Sequence, residues 1–152
     1  MENSSYLKFA AMMAVSFVVM YAVMFLNANV FDHVMLSTTR TYMTILMIAP
    51  MAVSMLLFMW KMYKNKVVNY IILASSVVVF VATLFMLRNQ TLIADVQWMK
   101  AMIPHHSSAI MVSQKAHLKD PEAIKLAEEI IEAQKREIAQ MKKMIYRLEK
   151  EK

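Results

Sequence analysis

Residues 67–87 read VVNYIILASSVVVFVATLFML, twenty-one consecutive positions without a charge between Lys66 and Arg88. As a helix this stretch is about 31 Å long, the thickness of a bilayer's hydrocarbon core. Working outward, twenty more uncharged residues lie between Arg40 and Lys61, with Pro50 in their middle, and eighteen run from Phe9 to Leu26. The predicted architecture therefore begins with three transmembrane helices, at about 9–26, 41–60 and 67–87, forming a membrane domain over residues 1–88. The first run exceeds a signal-peptide core, and Asn27-Ala28-Asn29 is a poor cleavage site, so it is expected to stay as an anchor.

Composition supports this reading. The chain is 59% hydrophobic, has eighteen methionines and three prolines, and lacks glycine and cysteine. Few places are left to break a helix, so long helices with short connections follow. Without cysteine there are no disulfides, zinc–thiolate sites, iron–sulfur clusters or cysteine nucleophiles. The net charge of +6 does not point to nucleic acid, because bases alternate with acids along the C-terminal helix as on a solvated face. Orientation follows from the short loops. The 61–66 loop carries Lys61, Lys64 and Lys66, whereas 27–39 carries Asp32 and neither Lys nor Arg. The lysine loop is expected to face the cytoplasm, as is the N-terminus, with everything after Arg88 extracytoplasmic. The expected location is a bacterial inner or cell membrane.

From residue 89 the pattern becomes amphipathic and charged. One helix is predicted from near Leu92 to Leu118. A second follows Asp120-Pro121, an N-cap and a first-turn proline, and reaches about Leu148. Its ladder is Ile124, Ala127, Ile131, Gln134, Ile138, Met141, Ile145 and Leu148, a 4/3 alternation broken by one glutamine. The fold class is thus all-α, three spans followed by an extracytoplasmic αα-hairpin over 89–152. Two such helices bury little alone, so the hairpin is expected to pair with another copy as a four-helix bundle or to dock on the membrane domain.

The chemistry is concentrated between Trp98 and Met111, which hold Met99, Met102, Pro104, His105 and His106. Thioether and imidazole suit a soft monovalent ion such as Cu(I), or Ag(I), and hard cations ignore thioethers. At about 100° per residue, Met99, His106, Ile110 and His117 fall within roughly 20° of one direction. Antiparallel pairing then sets His106 opposite Gln134, Met102 opposite Ile138 and Glu137, and Met99 opposite Met141. Met99 and His106 are about 10 Å apart along the axis, which suggests two neighbouring sites. One would use Met99, Met102 and Met141 with Met144 in reserve, the other Met102 or His106 beside Gln134 or Glu137. His105 points about 100° away from His106 unless Pro104 kinks the turn. Met111, on the opposite flank, suits a second subunit. His117 reads more readily as a surface residue, and methionine is a common gap-filler in helical cores. His33 and Met35, in the 27–39 loop, could add ligands near the hairpin. Met43, Met47, Met51, Met55 and Met59 recur every four residues and read first as a packing ridge.

Residues 95–141 resemble the domain of unknown function family 305, a copper-associated, ferritin-like helical family. The resemblance rests on Asp95, Met99, Met102, Pro104-His105-His106, Ala109-Ile110, Met111, Gln134, Glu137-Ile138 and Met141. It implies an extracytoplasmic bundle that binds Cu(I) or Ag(I), with Met99, Met102, His105, His106, Met111 and Met141 as candidate ligands. Ser107-Ser108 stand where the family often shows Gln-Gly, and only one hairpin is present.

The expected function is a membrane-anchored protein for copper tolerance or delivery, passing the ion to a pump, chaperone or cuproenzyme. Alternatives are a subunit of a metal transporter or channel, or a structural or assembly protein without metal. No nucleophile–base pair, phosphate loop or paired carboxylates suggests an enzyme. Expected partners are membrane lipid and a second copy, not nucleic acid.

Overall fold

The computed structural model describes the backbone of residues 2–151 and the side chains of residues 5–151. The chain forms α1 (Glu2–Val23), a 3-10 turn (Phe31–His33), α2 (Thr38–Phe58), α3 (Lys66–Arg88), α4 (Asp95–Lys115) and α5 (Pro121–Lys150). No strand occurs among the described residues. Three helical stretches, Ser5–Val23, Thr38–Phe58 and Lys66–Arg88, are long and apolar enough to cross a membrane.

The chain divides into two compact units. One comprises the chain up to Val23 together with Thr39–Leu92, and the other Met24–Thr38 with the chain from Ile93 on. The first helix therefore differs from the expected 9–26. It begins upstream of Tyr6 and stops at Val23, although the apolar run continues to Leu26. Residues after Val23 belong to the second unit, and a turn closed by the Ala28 N–H on the Phe25 carbonyl (3.0 Å) replaces the next helical turn.

In the first unit, Phe9, Ala52, Leu56 and Tyr63 are buried, with Met13, Met55, Ile72 and Leu73 against them. One buried amide polarises this core. The Asn69 Nδ2 donates to the Tyr63 carbonyl at 2.8 Å, and its Oδ1 lies 2.9 Å from the Tyr6 hydroxyl. An amide with no exposed surface is tolerated in an apolar helix because its hydrogen bonds are made inside the protein. Asn65 caps α3 by accepting from the Val68 N–H. Outside this core the surface is apolar, with Val15, Val18, Val77, Val78 and Phe85 all exposed. Such a surface is costly in water and suited to lipid. The α2 methionines follow the drift of a four-residue ridge, about 40° per step. Met43 and Met47 are exposed, whereas Met55 and Met59 pack on the core.

Lacking glycine, the chain leaves α3 at a steric cost. Gln90 has φ 51° and Leu92 φ 61°, the left-handed region that a Cβ disfavours. The Thr91 N–H reaches the Met86 carbonyl at 2.9 Å and the Gln90 N–H reaches Leu87 at 3.2 Å. This is the Schellman ending that usually carries glycine at its left-handed position. Replacing Gln90→Gly should raise stability by about 1 kcal/mol, less whatever the Gln90 Nε2 bond to the Leu87 carbonyl (2.6 Å) contributes. Thermal denaturation in detergent checks it, and an unchanged or lower midpoint would count against stored strain.

Candidate metal centre

Two helices and one loop build the second unit. Asp120 accepts from the Ala123 N–H at 2.9 Å and Pro121 opens α5, so the predicted cap is the observed one. Helix α5 packs antiparallel on α4, with His106 beside Glu137 and Lys100 beside Glu149 (2.6 Å). Of the two residues expected beside His106, Gln134 and Glu137, the contact is made by Glu137. The seam buries Met99, Ile103, Ile110, Ile138, Met141 and Ile145, and Met35, Val96, Met102, Ile131, Met144 and Leu148 pack against it. Met99 and Met141 retain only 2% and 4% of their exposure. Five thioethers, from Met35, Met99, Met102, Met141 and Met144, accordingly share one cluster.

His106 sits at the edge of this seam, its side chain 12% exposed. Its Nδ1 is 2.9 Å from the Met102 carbonyl and its Nε2 is 2.8 Å from Glu137 Oε2. A carbonyl accepts only, so Nδ1 donates to Met102, while Nε2 faces the Glu137 carboxylate and could take a metal only by displacing that contact. His105 faces out and is exposed, its ring centre 6.1 Å from that of His106 and inclined by 66°. Pro104 is buried inside α4, which runs on through it without a break. Met111 and Gln134 are half-buried. His117 lies beyond Lys115, where α4 ends, in the exposed connection to α5. The alignment of His117 with Met99 assumed a helix reaching Leu118 and is lost with it.

The loop Met24–Thr38 was the least legible part. The Asn29 N–H donates to Ser107 Oγ at 2.8 Å, and His33 Nδ1 lies 2.8 Å from the same oxygen. Asp32 pairs with Lys142, and Gln97 Oε1 accepts from the Thr38 N–H at 3.0 Å. Ser107, noted in the sequence only as a departure from a family pattern, is the fully buried anchor of this loop. A serine followed by a serine carries no signal that would have revealed the role. Met35 also enters the site from this loop.

Among the described residues no three of His, Asp, Glu and Cys come together as a metal-binding group.

The family model described as Domain of unknown function (DUF305) matches residues 82–145. An uncharacterized protein of Acanthamoeba polyphaga mimivirus is 32% identical over 148 residues, covering 95% of this chain and 93% of its own. That similarity takes in the three apolar helices as well as the hairpin. No solved structure matches the chain.

Two charges tie the loop's stability to pH. The Lys142 ammonium bonded to Asp32 holds that carboxyl below its ordinary value. Burial, and then Lys142, push His33 below the ordinary imidazole value. A free chain takes up a proton on His33 near pH ~6.5 while the docked ring resists it, so docking weakens as pH falls from there. The Asp32 contribution, present above pH ~3.9, is lost in turn as pH falls through its lowered value. In metal-free protein the exchange protection of the Asn29 amide should fall with acidification below pH ~6.5. Protection that is flat with pH would show that His33 is not part of the docked structure.

Proposed function

We propose that this chain, which belongs to the domain of unknown function 305 family, is a membrane-anchored Cu(I)-binding protein for copper tolerance or delivery. The observation that carries this reading is the cluster of five thioethers, four from the helical seam and Met35 from the loop packed on it, bordered by a histidine whose Nδ1 is already committed. Packing alone accounts for one or two methionines, since the residue fills gaps readily. Five in a cluster of twelve side chains make a surface whose distinguishing chemistry is affinity for a soft ion. Ag(I) is expected to bind in the same way.

Met99, Met102 and Met141 form the thioether part of the site, with Met144 at its border. His106, and Glu137 through it, form the polar part. His105 and Met111 remain candidate ligands toward a second copy or a delivery partner, such as a pump, chaperone or cuproenzyme. Exposed Val112, Ile124 and Leu126 near the hairpin turn favour such a second copy completing a four-helix bundle. The lysines at 61, 64 and 66 favour a cytoplasmic position for that loop and an extracytoplasmic hairpin.

Leucine nearly conserves the volume of methionine and removes the donor. The double change Met99→Leu with Met141→Leu should lower Ag(I) affinity at least tenfold, about 1.4 kcal/mol or more, while the helical circular dichroism stays unchanged. Met43→Leu with Met47→Leu, on the exposed face of α2, should change neither. Competition titration of the full chain in detergent measures both. Equal affinity in the wild type and the seam variant would leave a structural or assembly role for the hairpin.

A further inference from the structure

We infer that the α1–α2 connection is a working part of the metal site, supplying Met35 as a thioether ligand beside Met99 and Met141. This rests on the soft-metal reading of the seam and extends it to a residue far outside the region 82–145 that the family model covers.

The first observation is enclosure. Two packed helices bury the side chains on their shared line but leave both flanks of that line open. Met99 and Met141 are nonetheless almost fully buried, and among the described residues Met35 is a hydrophobic side chain from outside α4 and α5 packed on their cluster. The loop supplies a third wall, and the side chain it places there is a thioether.

The second observation is how firmly the wall is held. Four ties span its length and land on both helices: Asn29 and His33 on Ser107, Thr38 on Gln97, and Asp32 on Lys142. Between the last residue of the 3-10 turn and Met35 the backbone is extended at Val34 (φ −78°, ψ 105°). His33 and Met35, on either side of Val34, both reach the hairpin, one onto Ser107 and the other onto the thioether cluster.

The third is ligand arithmetic. Met99 and Met102 are three residues apart, neighbours on one helix face, and Met141 comes from the facing helix. A soft ion held by thioethers alone has no charged ligand to strengthen it, so an added donor from the loop raises affinity without adding charge. Because the loop joins α1 to α2, an occupied site restrains the segment between the first two apolar helices.

The test uses the full chain in detergent, with methionine methyl groups carbon-13 labelled, titrated with silver nitrate. The Met35 methyl should shift in step with those of Met99 and Met141, and Met35→Leu should lower Ag(I) affinity at least tenfold. The Ser107 amide shift reports separately whether the loop stays docked in that variant. Shifts at Met99 and Met141 with Met35 silent in the wild type would overturn the inference and leave the hairpin's metal reading standing. Silence at all three in folded protein would overturn both.

Discussion

Burial of Met99 and Met141 in one seam is the constraint to which the rest of the second unit answers. Each fully buried methionine or isoleucine contributes roughly 1.5–3 kcal/mol relative to an exposed one. A hairpin of two helices has few such positions, because each helix offers a single stripe. The buried set of Met99, Ile103, Ile110, Ile138, Met141 and Ile145 fills that stripe from the start of α4 toward its last turns. It stays dry only if something covers its flank, and the chain between α1 and α2 does so through ties on both helices. Helix α1 ends at Val23, and the residues from Met24 on belong to the second unit.

What was legible in the sequence was what depends on period and punctuation. Charge-free runs of helical length marked the three apolar helices. Asp120-Pro121 marked the start of α5, and the 4/3 ladder marked the face it buries at Ile138, Met141 and Ile145. That Met99 and Met141 share one buried seam also followed, because it needs only a helical angle and an antiparallel turn. The sequence leaves open which of Gln134 and Glu137 meets His106, and Glu137 does. A turn length guessed from sequence cannot fix an axial shift smaller than the helix pitch.

The docked loop was not legible, for a different reason. Asn29, His33 and Ser107 are joined through one hydroxyl across 78 and 74 positions, and nothing periodic links them. Its residues are those of an ordinary polar connection. A lone aspartate and a lone lysine, Asp32 and Lys142, carry no signal of pairing until the fold brings them together. The helix ends were legible only where side chains announce them, as at Asp120. The end of α3 carries no such sign, since a left-handed ending without glycine, at Gln90, runs against local preference.

The same seam sets limits on what an ion could do there. Thioethers are neutral, so a monovalent cation among Met99, Met102 and Met141 would bring its charge into an apolar cluster with no counter-charge among its ligands. Desolvating a charge without compensation is costly, and the carboxylate nearest the His106 ring, Glu137, is already engaged by that ring. On the proposed reading such a site would hold its ion against water by softness alone and would give it up readily to a ligand that is soft and anionic, such as a thiolate. Glu137 is only half-shielded, at 45% exposure, so the polar edge of the seam is also its open edge. If the proposed binding holds, a site neutral inside and open at the histidine border would suit a carrier that must release its cargo better than permanent storage.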